Sequence, residues 1–156
     1  MKRLNTKGFF LIEVVIAASV ITVVLMLLLG SIQNSVEASQ RSLERTQASY
    51  LLEEGAEAVK VVRDMGWASI AALTNGTTYY LSWSGSAWSL TTTPQNIGAF
   101  TRSVIFESVS RNAQDDIVYS EGTLDTGTKK VTVRVSWNVP SGTTTEALEF
   151  YIANIR

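Results

Sequence analysis

The sequence contains no cysteine and no histidine, and only two prolines among its 156 residues. Without cysteine there is no disulfide, thiolate nucleophile or lipid-modified cysteine, and without histidine the commonest general base and zinc ligand are missing. We therefore expect a protein that is not an enzyme and that has no cofactor and no metal site. At 46% hydrophobic residues, the chain is too apolar to be disordered, and its length suits one globular domain plus an appended element.

Charge also gives little information about partners. The formal net charge is -1, and residues 66–156 hold six Lys or Arg against seven Asp or Glu. This balance predicts no basic surface of the kind that dominates nucleic-acid binding. DNA is therefore not an expected partner, although charge alone does not exclude it.

The N-terminus combines a short basic segment with a long apolar run. Residues 1–8 read MKRLNTKG, and residues 9–29 read FFLIEVVIAASVITVVLMLLL. As a helix the run would be about 32 Å long, enough to cross a hydrocarbon core of roughly 30 Å. The positive-inside rule keeps the leader in the cytoplasm and places the chain after Gly30 outside. An ordinary secretory signal, with an apolar region of about 7 to 15 residues, is the less favoured alternative.

One carboxylate, Glu13, interrupts the run five residues after Gly8. An ionisable residue near a helix centre costs about 3 kcal/mol, whereas the strong hydrophobes of the run together return on the order of 5 to 10 kcal/mol, so insertion remains favourable. Ionisable residues within membrane segments are functional by default. The alternative is a carboxylate close enough to the cytoplasmic interface to be hydrated or protonated.

The string KGFFLIEVVIA resembles the class III prepilin signature of type IV pilins and type II secretion pseudopilins. The resemblance implies that a membrane prepilin peptidase cleaves between Gly8 and Phe9 and methylates the new amino group of Phe9. It also implies an inner-membrane assembly platform and other pilin or pseudopilin subunits as partners, with membrane lipid around the helix before assembly. The chain would be a single-pass inner-membrane precursor first, and then part of an extracytoplasmic, cell-surface filament.

A physical role for these residues follows from the new N-terminus. In a stack of staggered helices, the Glu13 carboxylate of one subunit can meet the cationic amine at Phe9 of its neighbour. A buried charge is tolerated when paired and costs roughly 3 to 5 kcal/mol when its partner is removed. We therefore expect this pairing to set the axial register, while apolar faces supply most of the cohesion. Gly8 lacks a Cβ, which lets the backbone extend into the peptidase site.

The helix is predicted to continue as an amphipathic segment over residues 31–64. Gly66 is predicted to cap the C-terminal end of this helix in a left-handed conformation. Gly30 is predicted to be either a point of local weakness, because Gly in a helix costs about 1 kcal/mol relative to Ala, or a residue that the helix merely tolerates. The apolar stripe of this segment consists of Ile32, Val36, Leu43, Tyr50 or Leu51, Val59 and Val62.

Beyond Gly66 the pattern is that of strands. YYLSW and AWSLT flank a Ser-Gly-Ser loop and predict a hairpin, and FTRSVIFESV, KVTVRVSWNV and EALEFYI predict further strands. In KVTVRVSWNV, alternate residues share one face that should pack on the helix, namely Val131, Val133, Val135, Trp137 and Val139. The tryptophans are expected to lie in the core or on a sheet face.

The predicted fold class is α+β and type IV pilin-like, with a long N-terminal helix packed on a small antiparallel sheet. Its segments are a leader (1–8), a transmembrane and assembly helix (9–30), an amphipathic continuation (31–64) and a β-rich head (65–156). The head is similar to minor pilins and to the I-type minor pseudopilin. The resemblance implies a structural subunit, of the minor pilin kind, in a type IV pilus or related filament. The alternatives are a type II secretion minor pseudopilin and a single-pass membrane protein that displays a binding domain without polymerising.

Two motifs in the head are given a structural interpretation. Asp125-Thr126-Gly127 spells the triplet of aspartic proteases, but it occurs once and is predicted to be a turn between strands. Asp115, Asp116, Glu121 and Asp125 could supply oxygen ligands to calcium, but they lack the spacing of a calcium-binding loop and are predicted to be a solvated acidic loop.

Overall fold

The structure, a computed structural model, describes residues 6–119 and 121–155, with side chains described from residue 10 onward. The chain divides into two compact units, Met1–Arg45 and Thr46–Arg156. In the first unit the described residues, from Thr6 onward, are all helical, and the second unit contains the rest of that helix and the described strands. The helices are α1 (Thr6–Met65) and α2 (Trp67–Ala71), and the strands are β1 (Thr78–Trp83), β2 (Trp88–Thr91), β3 (Asn96–Ile97), β4 (Phe100–Arg111), β5 (Ile117–Val118), β6 (Thr123–Val139) and β7 (Gly142–Ala153).

The strands form one antiparallel sheet in the order β2-β1-β4-β6-β7, and the short strands β3 and β5 pair with β4. The predicted hairpin is present, because β1 pairs with β2 from Tyr80 opposite Thr91 to Trp83 opposite Trp88. Each of the three other predicted strands is present as well, in β4, β6 and β7. The chain is therefore α+β, with a long helix and an antiparallel sheet.

The alternation predicted for β6 places its valines in the core. Val131, Val133 and Val135 are fully buried and Trp137 nearly so, whereas Val139 is only half-buried. Burying a side chain of this kind contributes about 1.5 to 3 kcal/mol, so this face supplies much of the cohesion of the head. The residues of α1 in the same core cluster are Ala48, Leu52, Ala58, Val59 and Val62.

The predicted stripe along α1 is only partly correct. Val59 and Val62 are buried, but Ile32, Val36, Leu43 and Tyr50 are exposed, and Leu51 is half-buried. The first three precede the part of α1 that belongs to the second unit. Within that part, small residues occupy much of the buried face, because a helix that lies close to a sheet leaves little room for large side chains. The prediction followed the spacing of the large hydrophobic residues, so it started the stripe at Ile32 and gave no weight to the small residues of the buried face.

The end of α1 lies one residue beyond the predicted end at Asp64. The Gly66 amide donates to the Arg63 carbonyl at 3.0 Å. Gly66 has φ 155° and ψ 122°, a conformation that favours glycine but lies outside the left-handed helical region, so the predicted left-handed cap is wrong. α1 runs unbroken through Gly30, where an added Cβ would meet nothing within 4 Å.

α1 approaches the sheet closely at a glycine that the sequence did not single out. Gly55 is buried. A Cβ at this position would lie 2.8 Å from Val133 Cγ1 and 3.0 Å from Arg102 Cδ. Both contacts are shorter than normal packing permits, so the absent side chain at Gly55 is what allows this spacing of helix and sheet.

Gly55→Ala is therefore expected to destabilise the protein by about 1 kcal/mol. Alanine gains about 1 kcal/mol in helix propensity over glycine, but overpacking a tight contact costs roughly 1 to 3 kcal/mol. Thermal unfolding of the full chain in detergent measures the difference, and a fall in melting temperature of roughly 5 °C is expected. Gly30→Ala is the matched control, because it adds the same methyl group to the same helix in open space. A melting temperature raised by Gly55→Ala would contradict the close approach.

Candidate functional site

The N-terminal part of α1 exposes a continuous apolar surface. Every side chain described between Phe10 and Leu29 is exposed, and most are large hydrophobes. Exposed apolar patches of this extent mark contacts with lipid or protein. One helix in the described chain is long and apolar enough to cross a membrane, and it is this one.

The hydroxyl groups in this segment are satisfied within the helix. Ser19 Oγ donates to the Val15 carbonyl and Thr22 Oγ1 donates to the Ala18 carbonyl, each at 2.8 Å. Such back-bonding leaves these hydroxyl donors without need of a partner outside the helix. The segment is thus suited to an apolar environment at every described side chain except one.

That exception is Glu13. It is exposed, and it is the only ionisable residue between Lys7 and Glu37. The structure gives it no hydrogen bond or ion pair among residues 10–119 and 121–155. A carboxylate in hydrocarbon is costly unless it is paired, so in such surroundings Glu13 would need a cationic partner.

The predicted processing residues lie in the first turns of the same helix. The backbone of Gly8 and Phe9 is helical, while their side chains lie outside the described part of the chain. Phe9 and Glu13 are four residues apart, which places them on one face of α1 about 6 Å apart along the axis. A peptidase acting at this bond would have to extend the first turn, where backbone groups lack helical partners.

In the head, the Asp125-Thr126-Gly127 triplet lies within β6, so the predicted turn between strands is wrong. The pairing of β4 with β6 shifts register here, between Ser108 and Val109, and the triplet is accommodated as a bulge. Asp125 Oδ1 still accepts from the Gly127 amide at 2.8 Å, as in an Asx turn. Its Oδ2 accepts from Arg111 Nε at 2.7 Å, so the carboxylate is engaged in a structural ion pair.

The bulge should contribute stability that depends on pH. The hydrogen bonds from Arg111 and then Thr128 lower the pKa of Asp125 below its ordinary value. A carboxyl group with a lowered folded-state pKa stabilises the fold above its unfolded pKa of about 3.9, and this contribution disappears as pH falls through the folded pKa. Asp125→Asn should thus lower the melting temperature at pH 7, and the difference from wild type should shrink below about pH 4. Glu53→Gln, at an exposed carboxylate of α1, is the control, and a difference that persists unchanged at low pH would contradict this role.

Among the described residues, no group of three or more His, Cys, Asp or Glu side chains is placed to hold a metal ion. Asp115 instead pairs with Arg111 at 3.7 Å. Asp116 is bound to Asn112, whose side-chain oxygen accepts from the Asp116 amide at 2.8 Å.

Sequence reasoning missed a buried cation on β4. Arg102 is only 2% exposed and lies on the core-facing side of the strand with Phe100 and Val104. Its Nη1 lies 2.9 Å from Glu54 Oε2 of α1 and donates to the Leu51 carbonyl at 3.3 Å, and its guanidinium lies 5.3 Å from the centre of the Trp88 ring. Its Nε is buried without a hydrogen-bond partner in the described chain. The signal was present in the alternation of FTRSVIF, which puts Arg102 in phase with the apolar residues.

In comparisons with known proteins, no family model matches the sequence, and no curated protein and no solved structure matches it.

Proposed function

We propose that this chain is a structural subunit, of the minor pilin kind, in a type IV pilus or related filament, and that it polymerises through α1. The observation that carries the proposal is Glu13, a single exposed carboxylate in an apolar helical segment, five residues after Gly8. Stacked copies of α1 would supply what the single chain lacks. The apolar surfaces would cover one another, and each Glu13 would meet a cationic amine created at Phe9 of the neighbour.

The pathway implied by this proposal begins in the membrane. The chain would be held as a single-pass inner-membrane precursor with its N-terminus in the cytoplasm, and α1 would be surrounded by lipid. A prepilin peptidase would cleave after Gly8 and methylate Phe9, and an inner-membrane assembly platform would pass the subunit into an extracytoplasmic filament. The same chemistry would serve a type II secretion minor pseudopilin, which is the alternative assembly.

The direct test is the intact mass of the chain recovered from filaments sheared off cells. It should lack residues 1–8 and carry one added methyl group at Phe9. A Gly8→Val precursor, in which the branched side chain obstructs the extended backbone at the cut, should keep its leader and remain in the membrane fraction. Recovery of chains that retain Met1 from sheared filaments would refute the proposal, and a processed chain found only in the membrane would favour a protein that does not polymerise.

A further inference from the structure

The sheet face that points away from the core carries a polar groove. Glu107, Lys130 and Tyr151 are cross-strand neighbours on β4, β6 and β7. Each directly adjoins a core-facing residue of its own strand, so the three share the outer face. The groove has a volume of about 590 Å³, within the range of roughly 300 to 1,000 Å³ that is usual for small-molecule sites.

Two tyrosines form an aromatic wall of this groove. Tyr119 is 91% exposed and Tyr151 is 43% exposed, and both side chains line the groove. Burial, followed by the presence of Tyr119, raises the pKa of Tyr151 above its ordinary value. A tyrosine hydroxyl is protonated at neutral pH in any case, so it can donate a hydrogen bond to a ligand. Rigid amphipathic tyrosine rings beside serine hydroxyls are the composition that antibodies use for recognition, and Ser108 and Ser110 also line the groove.

The charges of the groove narrow the choice of ligand. Lys130 Nζ lies 3.1 Å from Glu149 Oε2 and 3.6 Å from Glu107 Oε2. A cationic ligand would have to displace Lys130 from these carboxylates, and an anionic ligand would meet one more carboxylate than ammonium groups. A purely apolar ligand would desolvate these polar groups without returning hydrogen bonds. A neutral ligand rich in hydroxyl groups avoids all three penalties, because its hydroxyls both donate to carboxylates and accept from an ammonium.

We propose that this groove binds a neutral carbohydrate, a short oligosaccharide with one sugar ring against Tyr119 and with hydroxyls that bridge Lys130, Glu107 and Glu149. The residues that line the groove come from β4, β5, β6, β7, the segment before β1 and Tyr119, and all of them belong to the second unit. Binding of this kind is independent of polymerisation, so its failure would leave the filament proposal in place.

The test measures sugar binding by the full chain in a detergent that carries no sugar headgroup. The probes are neutral di- and trisaccharides of glucose, galactose, mannose and N-acetylglucosamine on an array, with sialylated and sulfated counterparts. Saturation-transfer NMR then gives the affinity of the best neutral probe. Tyr119→Ala is expected to weaken that affinity at least about tenfold, as loss of a central aromatic contact does, while Tyr119→Phe keeps most of it.

Tyr50→Ala is the matched control, because Tyr50 is an exposed tyrosine of α1 (68% exposed) that does not line the groove. It should bind as wild type does. Glu149→Gln should also weaken binding, since the carboxylate accepts the sugar hydroxyl and orients Lys130. The proposal is overturned if no neutral probe binds at millimolar concentration, if charged sugars bind better, or if Tyr119→Ala binds as tightly as the Tyr50→Ala control.

Discussion

Glu13→Val is expected to leave membrane insertion intact and to reduce incorporation into filaments by roughly 10² or more. Insertion survives because the substitution removes the one ionisable group from an otherwise apolar segment of α1. In the proposed stack, however, the amine at Phe9 of a neighbour would lose its counter-charge. An unpaired buried charge costs roughly 3 to 5 kcal/mol, and each 1.4 kcal/mol changes an equilibrium tenfold.

The measurement compares the amount of the variant chain in sheared filaments with the amount in the membrane, in cells that also make the wild-type chain. Ser19→Ala is the control, because it removes a polar group of the same helix whose hydrogen bond is internal to that helix. Glu13→Gln separates charge from hydrogen bonding, and we expect it to incorporate nearly as poorly as Glu13→Val. Wild-type incorporation of Glu13→Val would remove the role assigned to this carboxylate.

In the head, Glu54→Ala is expected to destabilise the protein by about 2 kcal/mol, more than Arg102→Met does. Removing Glu54 leaves a guanidinium that is 2% exposed and that has, among the described residues, only the Leu51 carbonyl and the face of Trp88 as partners. Breaking a fully buried pair costs about 3 to 5 kcal/mol, and we expect the smaller cost of about 2 kcal/mol here because Glu54 itself is 50% exposed and partly screened by water.

Arg102→Met is expected to cost less than about 1 kcal/mol. Methionine fills the space of the arginine stem, and it removes a buried Nε that has no hydrogen-bond partner in the described chain. Glu54 then remains half exposed to solvent, where an unpaired carboxylate costs little free energy. The loss of the contact with Trp88, worth about 1 kcal/mol, offsets part of this gain.

Chemical denaturation of the full chain in detergent gives both free energies of unfolding. Glu53→Ala is the control for Glu54→Ala, since Glu53 is the exposed neighbour on the same helix and has no part in the Arg102 pair. Should Arg102→Met prove more destabilising than Glu54→Ala, the guanidinium would be a net source of stability rather than a charge that needs compensation.

The strands were predictable because their signals are local. The alternation in KVTVRVSWNV places side chains on two opposite faces of a strand independently of the neighbouring strands. In β6 the predicted apolar face does pack into the core of the head. The Asp125 triplet was misassigned for the converse reason. Its local chemistry is that of a turn and persists as the hydrogen bond from the Gly127 amide, but pairing with β4 and the cation of Arg111 hold it within a strand.

The candidate functional residues also differ in how far the sequence alone could indicate them. Glu13 was recognisable from the sequence, because a carboxylate in a long apolar run is anomalous in any fold. The burial of Arg102 was indicated only weakly, by its position among the alternating apolar residues of β4. Nothing in the sequence indicated the groove. Tyr119, Lys130 and Tyr151 lie far apart in the chain and meet only through the register of β6 with β7 and the packing beside β4.

The sequence by itself determined where α1 is apolar, where the chain changes from helix to strand, and which face of β6 is buried, since each depends on residue type and period within a short window. Only the tertiary structure decided that Gly55 faces Val133 and Arg102, that Arg102 pairs with Glu54, and that the buried face of α1 begins near Ala48. Those outcomes depend on the distance between segments remote in sequence, and close packing makes differences of a few tenths of an ångström decisive.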